Sequence, residues 1–260
     1  MKNLLKTLVR IVIQVKNKLA LSKMETAGKL LAEICQELTD IIRPGMATSV
    51  IDSWMSDRLK ARGLSSKMKG YCGYKHVTCI SINEQVVHGI PSDKKILKDG
   101  DLVKVDVCAA WGGYCADMAR CYFVGEARPD AKLLVEAACR SLDKAVEATQ
   151  VRNRIGDISF AVQQEVEKSG FGVVRDFAGH GIGKNMHEDP EILNYGQSGT
   201  GPEIRVGMAF AIEPMITAGR YDVIILADGW TVETVDKSLA AHVEDTVVVT
   251  ENGPKVVTRL

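Results

Sequence analysis

The chain contains 260 residues, of which 46% are hydrophobic and 25% charged, a composition typical of a folded globular protein and unlike that of disordered or repetitive chains. Its 33 basic and 33 acidic side chains give a formal net charge of zero, which argues against a dedicated nucleic-acid-binding protein. The seven cysteines include no Cys-x-x-Cys pair, which disfavours a disulfide framework and a cysteine zinc site and favours free thiols in a reducing cytosol. A bound metal ion would therefore depend on Asp, Glu and the five histidines.

Charge is distributed most unevenly at the amino terminus of the chain. Six basic residues and no acidic residue precede Glu25, so residues 1–24 carry a charge of +6 and the rest of the chain −6. Apolar residues recur at roughly helical spacing from Leu5 to Leu19, which favours a basic amphipathic helix, either exposed or packed. A segment that docks on a surface and a targeting signal are the alternatives, and no apolar run is long enough to span a membrane.

Helical and strand-like patterns follow one another along the remaining chain. Helical periodicity and stop signals predict helices over 24–42 and 49–61, followed by strands at 77–82, 102–109 and 114–124. The same order then repeats, with helices over 130–149 and 157–168 and strands near 171–175, 208–216, 221–226, 231–235 and 242–250. Two halves of about 24–125 and 130–250 therefore predict an α+β fold in which helices cover a curved, mainly antiparallel sheet.

Two acidic residues lie on the strands of one predicted hairpin. Apolar and polar residues alternate over 103–108, which places Asp106 on the polar face of its strand. A turn centred on Trp111 and Gly112 would pair Asp106 directly with Asp117, with their Cβ atoms about 5 Å apart. A bound divalent cation would offset the repulsion between the carboxylates; a shared proton and an exposed face with another register are the alternatives.

Acidic residues also interrupt two apolar runs in the second half, over 209–216 and 241–249. The interrupting Glu213 and Glu244 need a partner or a metal ion if they are buried, whereas on an edge strand they would face solvent. His180 lies in the run Gly-His-Gly-Ile-Gly, which either lets the backbone approach a ligand closely or has a structural role. Together these segments supply four carboxylates and one imidazole, a set suited to two adjacent metal ions.

The spacing of these five residues resembles that of the ligands in the dinuclear metallohydrolases with the pita-bread fold. Neighbouring motifs narrow the resemblance to the type I methionine aminopeptidases, over nearly the whole chain from Lys16 onwards. These motifs are Cys-Ile-Ser-Ile-Asn-Glu at 79–84, His-Gly-Ile-Pro at 88–91, Gly-His-Gly-Ile-Gly at 179–183, His-Glu-Asp-Pro at 187–190, Ile-Glu-Pro-Met at 212–215 and Asp-Gly-Trp-Thr at 228–231. The resemblance implies a single catalytic domain over 16–260 that follows a basic extension over 1–15.

The resemblance also implies two divalent metal ions, with Co, Mn, Fe and Zn all compatible with the donor set. Asp106 would bind one ion, and Asp117 and Glu244 would bridge both ions. His180 and Glu213 would complete the second site. The ions would share a water molecule of lowered pKa, and Glu213 would act on that water as the general base.

Substrate contacts follow from the same resemblance. His187 would donate to the developing oxyanion, and His88 would hydrogen-bond the scissile amide. An apolar pocket with soft walls would hold the methionine side chain, lined by Tyr71, Cys79, Trp230, Met186 and Met68. The expected activity is removal of the N-terminal methionine from nascent proteins in the cytoplasm, preferentially when the second residue is small.

Several features lie outside this pattern. Cys108 stands where a hydroxyl residue is usual, Asp245 where His is common, and Arg205-Val206 where Lys-Pro is more usual; none of these departures removes a ligand. The basic extension predicts docking on ribosomal RNA or another anionic surface near emerging chains. His76 and His242 have no assigned role.

Three rival functions use the same residues differently. The first rival is an exopeptidase of the same architecture that prefers X-Pro substrates. The second is a non-catalytic binding protein, and the presence of all five candidate ligands argues against it. The third is a metal store or sensor, which His88 and His187 disfavour because storage does not need them.

Overall fold

A computed structural model describes residues 12–260, and the elements of the first half follow the expected order. Two helices come first, α1 (Lys18–Leu38) and α2 (Thr48–Ala61). Four strands and a single 3₁₀ turn at Tyr71–Gly73 follow: β1 (Ser65–Ser66), β2 (Cys79–Ile82), β3 (Leu102–Trp111) and β4 (Tyr114–Phe123). Strand β3 pairs antiparallel with β1, β2 and β4 and so forms the centre of this sheet.

The second half repeats the order of two helices followed by strands. Its helices are α3 (Pro129–Ala148) and α4 (Ile155–Lys168). Its strands are β5 (Gly172–Val173), β6 (Ala178–Gly181), β7 (Glu188–Leu193), β8 (Ala209–Ile212), β9 (Met215–Thr217), β10 (Val223–Ile225), β11 (Val232–Thr234), β12 (Ala240–His242), β13 (Asp245–Thr250) and β14 (Gly253–Val256). They form a five-stranded sheet in the order β14-β13-β8-β6-β7, a three-stranded sheet β12-β9-β5 and the hairpin β10–β11.

Each pair of helices covers its own sheet. Leu31 and Ile34 of α1 and Met55 of α2 are fully buried in a core shared with the valines of β3. Leu134 of α3 and Ile158 of α4 are buried in a second core, against β8 and β13. Every strand pair within residues 12–260 is antiparallel, so the expected α+β class with helices covering antiparallel sheets is confirmed.

The segment before α1 differs from the prediction. The predicted amphipathic helix over 5–19 lies partly outside the described residues, and over 12–17 the prediction is wrong because the chain has no regular secondary structure there. Helix α1 begins only at Lys18, where the Asn17 side chain caps it by accepting from the backbone N–H of Ala20. Lys16 holds this segment on the second half, since its Nζ lies 2.9 Å from Glu188 and both side chains are 4% exposed.

Two strands that the sequence predicts as continuous are broken. Pro214 separates β8 from β9, because proline cannot donate a ladder hydrogen bond. Val243 and Glu244 separate β12 from β13, and their backbone N–H groups donate to the carbonyls of Pro214 and Ala119. Strands β1, β6, β7 and β14 have no counterpart among the predicted elements.

None of the helices within residues 12–260 combines the length and apolar composition needed to cross a lipid bilayer.

Candidate metal centre and substrate pocket

The β3–β4 hairpin brings Asp106 and Asp117 together, but not in the expected register. Asp106 pairs with Ala119 and Asp117 with Cys108, so the predicted direct pairing of the two carboxylates is wrong. The turn consists of two glycines with φ of +56° and +84°, a type of two-residue turn that needs positive φ at both positions. The register differs by two residues from the predicted one, and both aspartates therefore remain on the same face as diagonal neighbours.

The breaks in the second-half strands position the two glutamates. Glu213 lies between β8 and β9, immediately before Pro214. Glu244 lies between β12 and β13, where its backbone N–H donates to the carbonyl of Ala119 on β4 at 3.1 Å. Thr246 adds a second link across the halves, because its hydroxyl lies 2.8 Å from both the backbone nitrogen and the carbonyl oxygen of Asp117.

His180 is placed by β6, and the glycines beside it have a structural explanation. A Cβ atom at Gly179 would collide with the carbonyl oxygen of Ala211, and one at Gly181 with that of Asp189. These glycines therefore let neighbouring strands approach closely, rather than letting the backbone approach a ligand. The Nδ1–H of His180 donates to the carbonyl of Gly181, which leaves Nε2 as the free ligand atom of the ring.

All of the residues predicted from sequence line one cavity of about 650 Å³. The candidate metal ligands on its wall are Asp106, Asp117, His180, Glu213 and Glu244. The candidate substrate contacts on its wall are His88, His187, Met68, Tyr71, Cys79, Met186 and Trp230. Residues that are distant in sequence and belong to both halves therefore meet in a single space.

The carboxylates in this cavity lack partners and positive charge that a bound cation would supply. Ligand atoms of Asp117, His180 and Glu244 all lie within 4.8 Å of one another. Oδ1 of Asp117 and Oε1 of Glu244 are buried and have no hydrogen-bond partner within residues 12–260. Burial raises the pKa of Asp117 and of Glu213 to about 8, and it also raises the pKa of Asp106 and Glu244. Divalent cations would supply both the missing partners and the missing positive charge.

The histidines around the cavity are neutral. Burial lowers the pKa of His88 and of His180 to about 4, and it also lowers the pKa of His187. Nδ1 of His187 lies 2.8 Å from the Tyr71 hydroxyl, and its ring packs edge-on to that of His180. His88 packs edge-on against Trp230. Neutral imidazoles at His88 and His187 keep one N–H available for donation to a substrate.

The departures from the family pattern have specific partners. Cys108 lies directly opposite Asp117 in the β3–β4 ladder, and its thiol acts against the larger rise in the pKa of Asp117 that burial causes. Asp245 is fully buried, and its carboxylate oxygens accept from the guanidinium groups of Arg120 at 2.7 Å and Arg259 at 2.6 Å.

Several residues of the site were not predicted from the sequence. Tyr74 and Phe177 line the cavity, and the Tyr74 ring packs 4.9 Å from that of Trp230. His242 lies with Nε2 3.3 Å from Oε2 of Glu213. The signal that could have found His242 is its position two residues before Glu244, since alternate residues of an extended chain share a face.

Comparisons with known proteins agree with this geometry. Residues 22–251 match the model of metallopeptidase family M24. The methionine aminopeptidase of Clostridium acetobutylicum is 44% identical over 246 residues, which span 95% of this chain and 98% of that protein. The solved structure of the Thermotoga maritima methionine aminopeptidase superposes with a TM-score of 0.93 at 42% identity and covers 96% of this chain and 100% of that one.

A more distant structure shares the fold. The prolidase of Pyrococcus furiosus gives a TM-score of 0.77 at 23% identity, with 95% of this chain covering 65% of that one. The family match, the sequence identity and the structural superposition all indicate the same family. The chain belongs to metallopeptidase family M24 and, within that family, to the type I methionine aminopeptidases.

Proposed function

We propose that this protein is a metal-dependent aminopeptidase that removes the N-terminal methionine from newly made proteins. The observation that carries the proposal is a single cavity in which four largely buried carboxylates and one imidazole adjoin an apolar pocket. A metal centre beside a pocket for one uncharged side chain suits an exopeptidase that recognises a single terminal residue.

Asp106, Asp117, His180, Glu213 and Glu244 would hold two divalent ions. The support for this assignment is the unpartnered carboxylate oxygens and the raised pKa values of the four acids. The chemistry that such ions supply when bound is polarisation of a carbonyl oxygen and a lowered pKa of water. The oxygen-rich donor set with one imidazole is compatible with Co, Mn, Fe or Zn.

The side chains of the protein would move the protons. Glu213 would accept a proton from the attacking water and deliver it to the leaving amine, since its carboxylate lies on the cavity wall beside His180. The Tyr71 hydroxyl can donate to Nδ1 of His187, which leaves an Nε2–H to donate to the developing oxyanion. His88 would hydrogen-bond the scissile amide of the substrate.

The shape of the cavity and the polarisable side chains on its wall would recognise the substrate side chain. Cys79 and Met68 are almost fully buried, and Trp230 packs against Tyr74 on the cavity wall. Sulfur-containing and aromatic walls suit a flexible thioether. A second residue with a small side chain would be favoured because a larger one would meet the cavity wall.

Methionine release from the peptide Met-Ala-Ser tests the proposal. The protein should lose activity when a chelator removes its metal ions and regain activity when Mn²⁺ or Co²⁺ is returned. The variant Asp106→Ala should stay inactive after the same treatment. Absence of metal-dependent release by the unmodified protein would overturn the proposal, and faster cleavage of an Ala-Pro peptide would favour the rival X-Pro exopeptidase.

The setting of the enzyme is part of the same proposal. Residues 16–260 would form one catalytic domain acting in the cytoplasm, in keeping with seven cysteines that are all free thiols. The extension over 1–15 would dock on the ribosome, supported by its three basic residues, Lys2, Lys6 and Arg10, and its lack of acidic residues. Deletion of residues 1–14 should then reduce salt-sensitive co-sedimentation with ribosomes, and unchanged co-sedimentation would contradict the docking role.

A further inference from the structure

His242 is a buried imidazole that the proposed mechanism does not use. It ends strand β12, is 2% exposed, and presents Nε2 at 3.3 Å from Oε2 of Glu213. This nitrogen is buried and makes no hydrogen bond within residues 12–260, although Oε2 of Glu213 lies within reach. A polar ring atom that is removed from water and directed at a carboxylate requires an explanation.

The carboxylate of Glu213 lies between two imidazoles. Its Oε1 is 3.5 Å from Nε2 of His180, and its Oε2 is 3.3 Å from Nε2 of His242. The two rings face different oxygens of one carboxylate. Because His180 already donates through Nδ1, its Nε2 is an acceptor, and the available donor to Glu213 is the ring of His242.

The backbone fixes His242 relative to Glu213. His242 pairs with Met215 on β9, two residues after Glu213. The N–H of Val243 donates to the carbonyl of Pro214 at 3.3 Å, which ties the end of β12 to the residue beside Glu213. The backbone of His242 therefore cannot move away from that of Glu213 without breaking this ladder, and burial restricts rotation of the ring. The other charged groups facing the ring are Asp106 and Lys104.

We propose that His242 is a positioning residue for the general base. A small rotation of either side chain would align the Nε2–H of His242 with Oε2 of Glu213, 3.3 Å away, and the resulting hydrogen bond would fix the rotation of the carboxylate, so that Oε1 stays directed towards His180 and the metal centre. This inference rests on the proposed function, because it gives Glu213 the role described there. A carboxylate that is free to rotate would bind metal ions less tightly and present its oxygen to water in fewer productive orientations.

Two amide substitutions test the position of the donor. In His242→Gln the side-chain nitrogen can lie near the Nε2 position, whereas in His242→Asn it lies near Nδ1 and does not reach Glu213. We expect the Asn variant to lose about 10- to 100-fold in kcat for Met-Ala-Ser, the range typical of residues that orient ligands, with KM changed less than about twofold. The Gln variant should recover most of this loss.

Metal binding supplies a readout besides activity. Calorimetric titration of the metal-free variants with Co²⁺ should show about tenfold weaker binding by the Asn variant than by the Gln variant. Ile158→Ala, which removes buried volume from α4, is the control for lost stability: it should lower the melting temperature without changing kcat or the Co²⁺ affinity. If the Asn variant does not fold, His242→Leu, of similar volume, replaces it.

The outcomes separate the two proposals. Equal kcat and equal Co²⁺ affinity in the Gln and Asn variants would overturn the positioning role, even when the unmodified protein releases methionine normally. Losses as large in Ile158→Ala would also overturn it, because they would follow from stability alone. Failure of the unmodified protein to release methionine with any metal would instead overturn the proposed function.

Discussion

The four candidate ligand carboxylates face one cavity, whereas the basic side chains of the β3–β4 hairpin have partners elsewhere. Lys104 on β3 donates to the carbonyl of Asn83 at 2.8 Å, and burial lowers its pKa to about 7. Arg120 on β4 donates to Asp245 and to the carbonyl of Thr258. The carboxylates therefore retain protons in the absence of metal ions, and this retention links stability to pH.

Metal-free protein should lose stability as the pH rises from 6.5 to about 8. Burial raises the pKa of Asp117 and of Glu213 to about 8, so the folded state holds protons that the unfolded chain has already released. Stability present at low pH is then lost as these groups ionise, at up to about 1.4 kcal/mol per group and pH unit. The buried histidines have lowered pKa values, so they make stability rise with pH, but only below about pH 6.5. Lys104 also makes stability rise with pH, above about pH 7, but it is a single group.

Calorimetric melting temperatures in the presence of a chelator measure this dependence. They should fall across the interval from pH 6.5 to 8, and saturating Mn²⁺ should remove most of the fall because it compensates the ionised carboxylates. A melting temperature that is constant or rises over the interval in the chelator would show that these carboxylates do not control stability.

At the level of elements, the sequence predicted which residues meet better than how the strands arrange them. The alternation over 103–108 placed Asp106 on the correct face, and the two-residue error in register preserved that face because side chains alternate with a period of two. The turn position depended on which two residues adopt positive φ, and Gly113 rather than Trp111 does so. Strand β6 was missed because glycine is a poor strand former, and its close neighbours are visible only in three dimensions.

The glycine turn of the β3–β4 hairpin should be sensitive to side chains. Gly113 has φ of +84°, so Gly113→Ala should lower the free energy of unfolding by about 1–2 kcal/mol, the cost of left-handed backbone for an alkyl side chain. Gly113→Asn is the matched control and should cost less, because asparagine tolerates this conformation. Urea unfolding measures both, and equal losses would show that the backbone conformation is not the cause.

Across the whole molecule, Asp245 connects elements that are distant in sequence. It lies on β13 and binds Arg120 of β4 from the first half. It also binds Arg259 near the carboxyl terminus, and Arg259 reaches Asp143 of α3. An aspartate in place of the more usual histidine is therefore matched by two arginines, a compensation that the sequence alone did not reveal because the partners lie 125 and 14 residues away.

Removal of Asp245 should destabilise the whole fold. Asp245→Ala removes a fully buried carboxylate that accepts from both Arg120 and Arg259, and the free energy of unfolding should fall by about 1.5–3 kcal/mol. Asp143→Ala removes the other partner of Arg259 at an exposed site and should cost less than about 1 kcal/mol. Chemical unfolding distinguishes the variants, and similar losses in both would contradict a central role for Asp245.

The ion pair between Lys16 and Glu188 links the residues before α1 to the wall of the cavity. Glu188 follows His187 directly, and its Oε1 also accepts from the backbone N–H of Asn185, so the loop that carries His187 is braced from outside by Lys16. Proteolysis that removed Lys16 would leave Glu188 buried without its cation. While Lys16 is present, a displacement of the residues before α1 would also shift the loop that carries His187.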